Sequence, residues 1–377
     1  MKVCKFDKIE DEDEINRIIK YITKEKPYVI AIPPLLPLEE KAREISIGWF
    51  REDDEMARSA IKSIEYYCLA RVDRLIANAE LQHSIKEIIS TRIKNIFTWE
   101  ENKADLLIDK TIRAEVCRLS ADLLTYCLQA HGLRSKMFDS GTFVQTDKEK
   151  NFNIPLIRES VQQYMEQNRD IDIFVAPLSL CKNIYGEIDF LSEKRNDYYA
   201  TVLAACFNAE EIILSSNFKN IHANTHGSRE HHSLTYDEAE NLIGSGVHLL
   251  YADSITLAAR SGMVMRLIEP SHFNNERLYI SSHDSGENVK AVLSQDSLTS
   301  VRFTSLHTLP SYLLLGKIFD IINKYQINVI SMSSSNVSIS MILSASRDTL
   351  RIIQRELHKY VEMIVEEDMS AIHIIGS

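Results

Sequence analysis

Gln326-Ile327-Asn328-Val329-Ile330-Ser331-Met332-Ser333-Ser334-Ser335-Asn336-Val337-Ser338-Ile339-Ser340-Met341-Ile342-Leu343 is the stretch on which the fold turns. Residues 327–332 and 337–343 alternate apolar and polar side chains, the period of half-buried strands, and Ser333, Ser334, Ser335 and Asn336 between them read as a polar turn. Working outward, residues 301–306 read as a strand. Residues 311–325 read as a helix with Leu314, Leu315, Ile318, Ile321 and Ile322 inward. Residues 348–360 form a second helix and 371–375 a closing strand. That order is βαββαβ, the ferredoxin-like unit. Residues 283–298 are polar, carry Gly286 and have no helical period, so the domain boundary is placed there.

Upstream the pattern changes. Lys2-Val3-Cys4-Lys5-Phe6 alternates, after which Ile15, Ile18, Ile19 and Ile22 fall on one helical face. Tyr28-Val29-Ile30-Ala31-Ile32 is a continuous apolar run closed by Pro33-Pro34, as in a strand buried on both faces. Residues 52–98 read as a helical hairpin, and 103–131 as a long helix stopped by Gly132. Strands follow at 134–138 and 171–175, then a helix at 197–208 and a strand at 211–214. Alternating elements of this kind make an αβα sandwich on a mostly parallel sheet. The expected domains are residues 1–290 and 298–377.

Among 377 residues, Lys+Arg 43 against Asp+Glu 54 gives a net charge of −11. That field repels a phosphate backbone, so no nucleic-acid partner is expected. No apolar run approaches the roughly 20 residues of a membrane span. The cysteines Cys4, Cys68, Cys117, Cys127, Cys181 and Cys206 are scattered without a CxxC pair. Together with the lack of a leader-like start, they suit a reducing cytoplasm. There are only 11 glycines, and only Gly244 and Gly246 lie close together. Loops that cradle phosphate with bare backbone need clustered glycines, and none is found here.

The βαββαβ unit behind an α/β domain opening with Met1-Lys2-Val3-Cys4-Lys5-Phe6 resembles the aspartokinases. The stretch from Gln326 to Ser340 looks like their regulatory ACT domain. Leu234-Thr235-Tyr236-Asp237-Glu238-Ala239 and Gly246-Val247-His248-Leu249-Leu250 are also similar. The resemblance implies an amino-acid-kinase fold, with one ACT-like unit where the family has two. It also implies transfer of phosphate from ATP to the aspartate side chain.

The family's site pattern is carried over only in part. Lys5 and Phe6 of the opening motif, whose lysine meets phosphate, are kept, but Asp7-Lys8-Ile9-Glu10 replace its glycines. Pro33-Pro34-Leu35-Leu36-Pro37 stands for the second phosphate loop, removing N–H donors. Val116-Cys117 stands for the Gly-Glu pair ahead of Leu119-Ser120, and Gly141 for a substrate-binding arginine. In Lys194-Arg195-Asn196-Asp197-Tyr198-Tyr199-Ala200 the motif's aspartate survives as Asp197 while its glycines have become cations. Ser216-Asn217-Phe218-Lys219-Asn220-Ile221-His222 lacks both nucleotide-binding acids.

Lys5 and Asp197 are therefore the retained catalytic positions, and Lys194 and Arg195 are anion candidates set against a reading as surface cations. Ser333, Ser334, Ser335 and Asn336 are candidates for an amino-acid effector, set against a plain β-turn. His222, His226, His231 and His232 crowd eleven residues and include an i, i+4 pair. Their segment is loop-like, which weakens a zinc reading, and no metal site is assigned.

Three functions follow. A degenerate binding or regulatory homologue is favoured, with no cofactor expected. The alternative is an active aspartate kinase of aspartate-family amino-acid biosynthesis, making 4-phospho-L-aspartate with ATP and Mg. A different enzyme in the old cleft is the third. A homodimer through the ACT-like unit is the expected partner state.

Overall fold

Val29, Ile30, Ala31 and Ile32 have no face left for solvent, and strand β2 (Val29–Ile32) is accordingly buried throughout beside β1 (Lys2–Lys5). The computed structural model describes residues 1–102, 107–215, 231–244, 249–269, 277–283, 286, 291–306, 311–335 and 337–376. Two compact units account for the chain, one of Met1–Asn217 with Leu250–His283 and one of Phe218–Leu249 with Asp284–Ser377.

In the first unit β1 leads into α1 (Glu12–Glu25), whose N-cap Asp11 accepts a 2.8 Å hydrogen bond from Glu14 N. The acids Glu12, Asp13 and Glu14 occupy its first turn, where the helix dipole favours negative charge. After β2 come α2 (Leu36–Phe50), α3 (Asp54–Leu75), α4 (Ala79–Thr98) and α5 (Ile108–Ala130). Asp53 and Asn78 cap α3 and α4, which fixes the expected hairpin. The chain leaves α5 through Gly132 at φ +78°, a left-handed position that favours glycine.

Then follow β3 (Ser135–Met137), the short α6 (Ser140–Phe143), α7 (Ile154–Gln167) and β4 (Ile173–Pro177). A small hairpin of β5 (Leu180–Lys182) and β6 (Ile188–Phe190) precedes α8 (Asn196–Cys206) and β7 (Glu211–Ser215). β8 (His231–Thr235) and α9 (Tyr236–Gly244) belong to the other unit. The first unit resumes with α10 (Ala252–Ser261), β9 (Val264–Ile268) and β10 (Arg277–Ser281). Its sheet runs β3-β4-β2-β1-β7-β9-β10, with every pair parallel except β9 with β10. Ile15, Ile18, Trp49, Ile61, Ile89 and Leu128 share one apolar core drawn from the helices α1 to α5.

The second unit contains β11 (Ala291–Ser305), α11 (Ser311–Lys324), β12 (Asn328–Ser334), β13 (Ser338–Ser344), α12 (Arg347–Leu357) and β14 (Val361–Ile375). The order is βαββαβ and the antiparallel sheet reads β12-β13-β11-β14. Val301, Phe303, Ile339, Met341 and Leu343 pack with Leu314, Ile318, Leu350 and Ile353 in a core of its own.

β11 starts ten residues before the expected strand, inside the polar stretch read as a boundary. Bulges between Gln295 and Ser300 break its alternation, and Ser297 has φ +61°, so no period-2 signal survives there. Its partner β14 likewise begins at Val361 instead of residue 371, and tertiary pairing extends both. No helix among the described residues is long and apolar enough to cross a membrane.

Candidate functional site

Lys5 closes β1, Ser215 closes the neighbouring β7, and Asp197 lies in the first turn of α8. They meet at the carboxyl ends of the parallel strands, the usual ligand edge of an open α/β sheet. Lys5 is only 3% exposed. Its Nζ donates to Asp197 Oδ1 at 2.8 Å and to the Ser215 carbonyl at 3.3 Å. It also donates to the Asp7 carboxylate. Burial alone would lower the Lys5 ammonium, but Asp197 and Asp7 more than offset it, and its pKa is raised. Burial pushes the Asp7 carboxyl up, and Lys5 pulls it back only in part.

The two lysine-facing carboxylates leave this cluster with a surplus negative charge. An incoming phosphate would have to displace Asp7 from Lys5 and then sit beside Asp197, against both charge and desolvation.

Next to this cluster the chain is sutured. Leu36 N donates to the Ile9 carbonyl at 2.9 Å, and Leu35 N donates to Ser120 Oγ at 3.0 Å. Ile9, Leu35 and Ser120 are all buried. The enclosed space they line with Ile15, Val72 and Leu124 has a volume of about 10 Å³, scarcely room for one water. Ile9, Leu35 and Ser120 belong to the opening loop, the second loop and the Leu-Ser segment that the aspartokinase resemblance assigns to phosphate and substrate.

A second polar group lies on α4, α5 and the start of α6. Arg118 donates to Asp139 Oδ2 at 3.0 Å and to Glu115 Oε1 at 2.8 Å. Arg92 donates to Asp122 Oδ2 at 3.1 Å and to Glu115 Oε2 at 3.3 Å. Gly141 makes room for this arrangement, since a Cβ there would stand 3.3 Å from Arg118 Nη2 and 3.0 Å from Leu180 Cγ. Three carboxylates face two guanidinium groups. Burial pushes Asp122 up to about 6, with Arg92 opposing it.

The other candidates are spread out. Lys194 is exposed in the turn Glu193–Arg195. Arg195 instead lies over the rings of Tyr198 and Tyr251, 5.1 and 5.5 Å from their centroids, a cation–π arrangement. Ser333 and Ser334 end β12, exposed. Ser335 closes the turn, its N donating to the Ser338 carbonyl at 2.8 Å and its Oγ accepting from Ser338 N at 3.1 Å. Asn336, His222 and His226 lie outside the described residues, as do the side chains of His231 and His232 in β8. Among the described residues no cluster of three His, Cys, Asp or Glu side chains is arranged to hold a metal ion.

Sequence reading missed the Arg92–Glu115–Arg118–Asp139 network and the Leu35–Ser120 bond. Only the i, i+3 spacing of Glu115 and Arg118 was a local signal for the former.

Residues 70–269 match the model of the amino acid kinase family, more than half of the chain. The chain belongs to the amino acid kinase family. No curated protein matches it in sequence. In fold, this amino acid kinase is similar to aspartokinase III of E. coli, crystallised with lysine and aspartate. The TM-score is 0.73 and the identity 17%, over 100% of this chain and 87% of that one. It is also similar to the aspartate kinase of Clostridium acetobutylicum, with a TM-score of 0.77 and 14% identity over 100% and 86% of the two chains. The expected fold class, an amino-acid-kinase sandwich followed by a βαββαβ unit, is the one found.

Proposed function

We propose that this amino acid kinase is an aspartokinase-like protein that has lost ATP-dependent phosphorylation of L-aspartate and works as a binding or regulatory homologue. The observation that carries the reading is the pairing of Lys5 with both Asp7 and Asp197, so that the lysine expected to meet phosphate is already doubly countered. The suture of Ile9, Leu35 and Ser120 around about 10 Å³ supports it, because no substrate fits there without repacking. The deciding experiment is a calorimetric titration of the full chain with MgATP, run beside an assay for ATP-dependent turnover of aspartate. The expected result is neither binding nor turnover. Turnover abolished by Lys5→Ala overturns the proposal.

One observation favours a second reading, an active aspartate kinase using ATP and Mg to make 4-phospho-L-aspartate. Lys5 and Asp197, the two retained family positions, stand 2.8 Å apart in a buried ion pair. E. coli aspartokinase III was also crystallised with aspartate and ADP. The same titration separates the two readings.

The proposal extends to organisation. Residues 1–290 and 298–377 act as a kinase-like domain and a regulatory domain, and two copies pair through the latter. Ile372 and Ile374 on β14 are 70% and 66% exposed, apolar surface that a partner would cover. An amino acid bound near Ser333 and Ser334 is the corresponding effector proposal. Light scattering tests the pairing: a mass near 43.2 kDa at micromolar concentration refutes it.

A further inference from the structure

The helices α2 and α3 run against each other as a hairpin, and their open end forms a groove of about 530 Å³. Lys62 and Tyr66 stand four residues apart on α3, as do Tyr67 and Arg71 with Arg74 three further on, and all five line the groove. Lys41 approaches from the first turns of α2. The lining thus holds four cations and no acid, in a chain whose net charge is −11. Asp73, which α3 also carries, is turned to Lys86 on α4 at 2.7 Å.

Two of the cations have counterions. Lys41 pairs with Glu44 at 2.6 Å and Arg74 with Glu12 at 3.1 Å. Lys62 and Arg71 have no carboxylate within ion-pair distance among the described residues. Arg71 is held with its guanidinium over the Tyr67 ring, 3.2 Å from the centroid. Its Nε is buried without a hydrogen-bond partner. The Arg71 side chain also hydrogen-bonds Tyr67 and lines the groove. Leu38 and Ala70 give the groove an apolar floor. The volume falls in the range of small-molecule sites, about 300–1,000 Å³.

We propose that this groove is a binding site for a small organic anion, a phosphate or carboxylate group carried on an apolar body. The charged group takes Lys62 and Arg71 as its partners, Arg74 and Lys41 set the field at the rim, and the apolar body lies along Leu38, Ala70 and the tyrosines. The site uses neither Lys5 nor Asp197 and stands whether or not the ancestral reaction persists.

The test is calorimetry on the full chain with phenyl phosphate, benzoate and neutral benzyl alcohol as probes. Phenyl phosphate or benzoate is expected to bind saturably with a Kd of about 1 mM or tighter, weakening in about 0.5 M salt. The stronger of the two names the anionic group. Lys62→Glu, at an exposed position, is expected to weaken binding about tenfold or more with an unchanged melting curve. Lys5→Met is expected to leave it unchanged. Absence of binding by both anions overturns the proposal. So does equal binding of benzyl alcohol, equal affinity in Lys62→Glu, or loss of binding in Lys5→Met.

Discussion

Replacing Asp122 by Asn removes one negative charge from a group in which the three carboxylates Glu115, Asp122 and Asp139 are ion-paired with two cations, Arg92 and Arg118. Asp122 is 5% exposed and its carboxyl is held at about 6, against an ordinary 3.8, chiefly by burial. Because the raised value belongs to the folded state, that state binds more protons than the unfolded chain between the two pKa values. Stability contributed by this group is therefore complete below about pH 4 and falls as pH rises through about 6. A shift of roughly two units corresponds to about 3 kcal/mol lost across that window. Asp122→Asn keeps the shape and an acceptor for Arg92 while abolishing the titration. The variant should match wild type near pH 4 and exceed it by about 2–3 kcal/mol at pH 7. Urea unfolding at several pH values measures this, read by Trp49 and Trp99, the only two tryptophans, both in the first unit. Wild-type and variant stabilities that stay parallel from pH 4 to 7 would refute the charge-surplus argument.

Asp197→Ala should cost about 2 kcal/mol by leaving the buried Lys5 one carboxylate short, and Asp7→Ala less than about 1 kcal/mol because Asp7 is more than a third exposed. The reverse order would refute the assignment of Asp197 as the principal partner. Gly48→Ala should lose about 1–3 kcal/mol, since its Cβ would meet Ala57 N at 2.9 Å and Asp53 O at 3.0 Å where α2 turns into α3. An unchanged melting temperature would argue against so close an approach. All six cysteines are buried, and burial pushes Cys117, Cys127, Cys181 and Cys206 up to about 12. A thiol reagent should find almost none in the native protein and six in denaturant. A fast-reacting thiol under native conditions would contradict this.

How far the sequence was legible depends on how local each signal is. The alternation across Ile339, Met341 and Leu343, with Ile318, Ile321 and Ile322 at helical steps, carries the βαββαβ order, because each element advertises its buried face within its own residues. The unbroken Val29–Ile32 run marks a strand covered on both faces for the same reason. The first half of β11 fails because its bulges displace the pleat, so that only its pairing with β14 identifies it. The same division runs through the site. Lys5 and Asp197 were picked out by resemblance, yet their contact spans 192 positions and depends on β1 lying beside β7. In sequence Asp7 shows only as a replacement for a glycine of the opening motif, whereas in three dimensions it is a counterion to Lys5. The bond from Leu35 to Ser120 joins segments 85 positions apart, and no window of sequence contains both.

The placement of β1 at the middle of its sheet has a consequence for biosynthesis. Lys2 lies in register with Glu211, and Val3 with Ile212. At about 5–20 residues per second, the ribosome needs on the order of 10–40 s to make β7 after β1 has been made. Throughout that interval β1 has one of its flanking strands at most, and the apolar Val3 and Cys4 wait beside an unpaired edge. Nascent chains of this protein are thus most vulnerable to misassociation before residue 215 emerges, and a holdase that shields the first strand would raise the yield more than one acting after release.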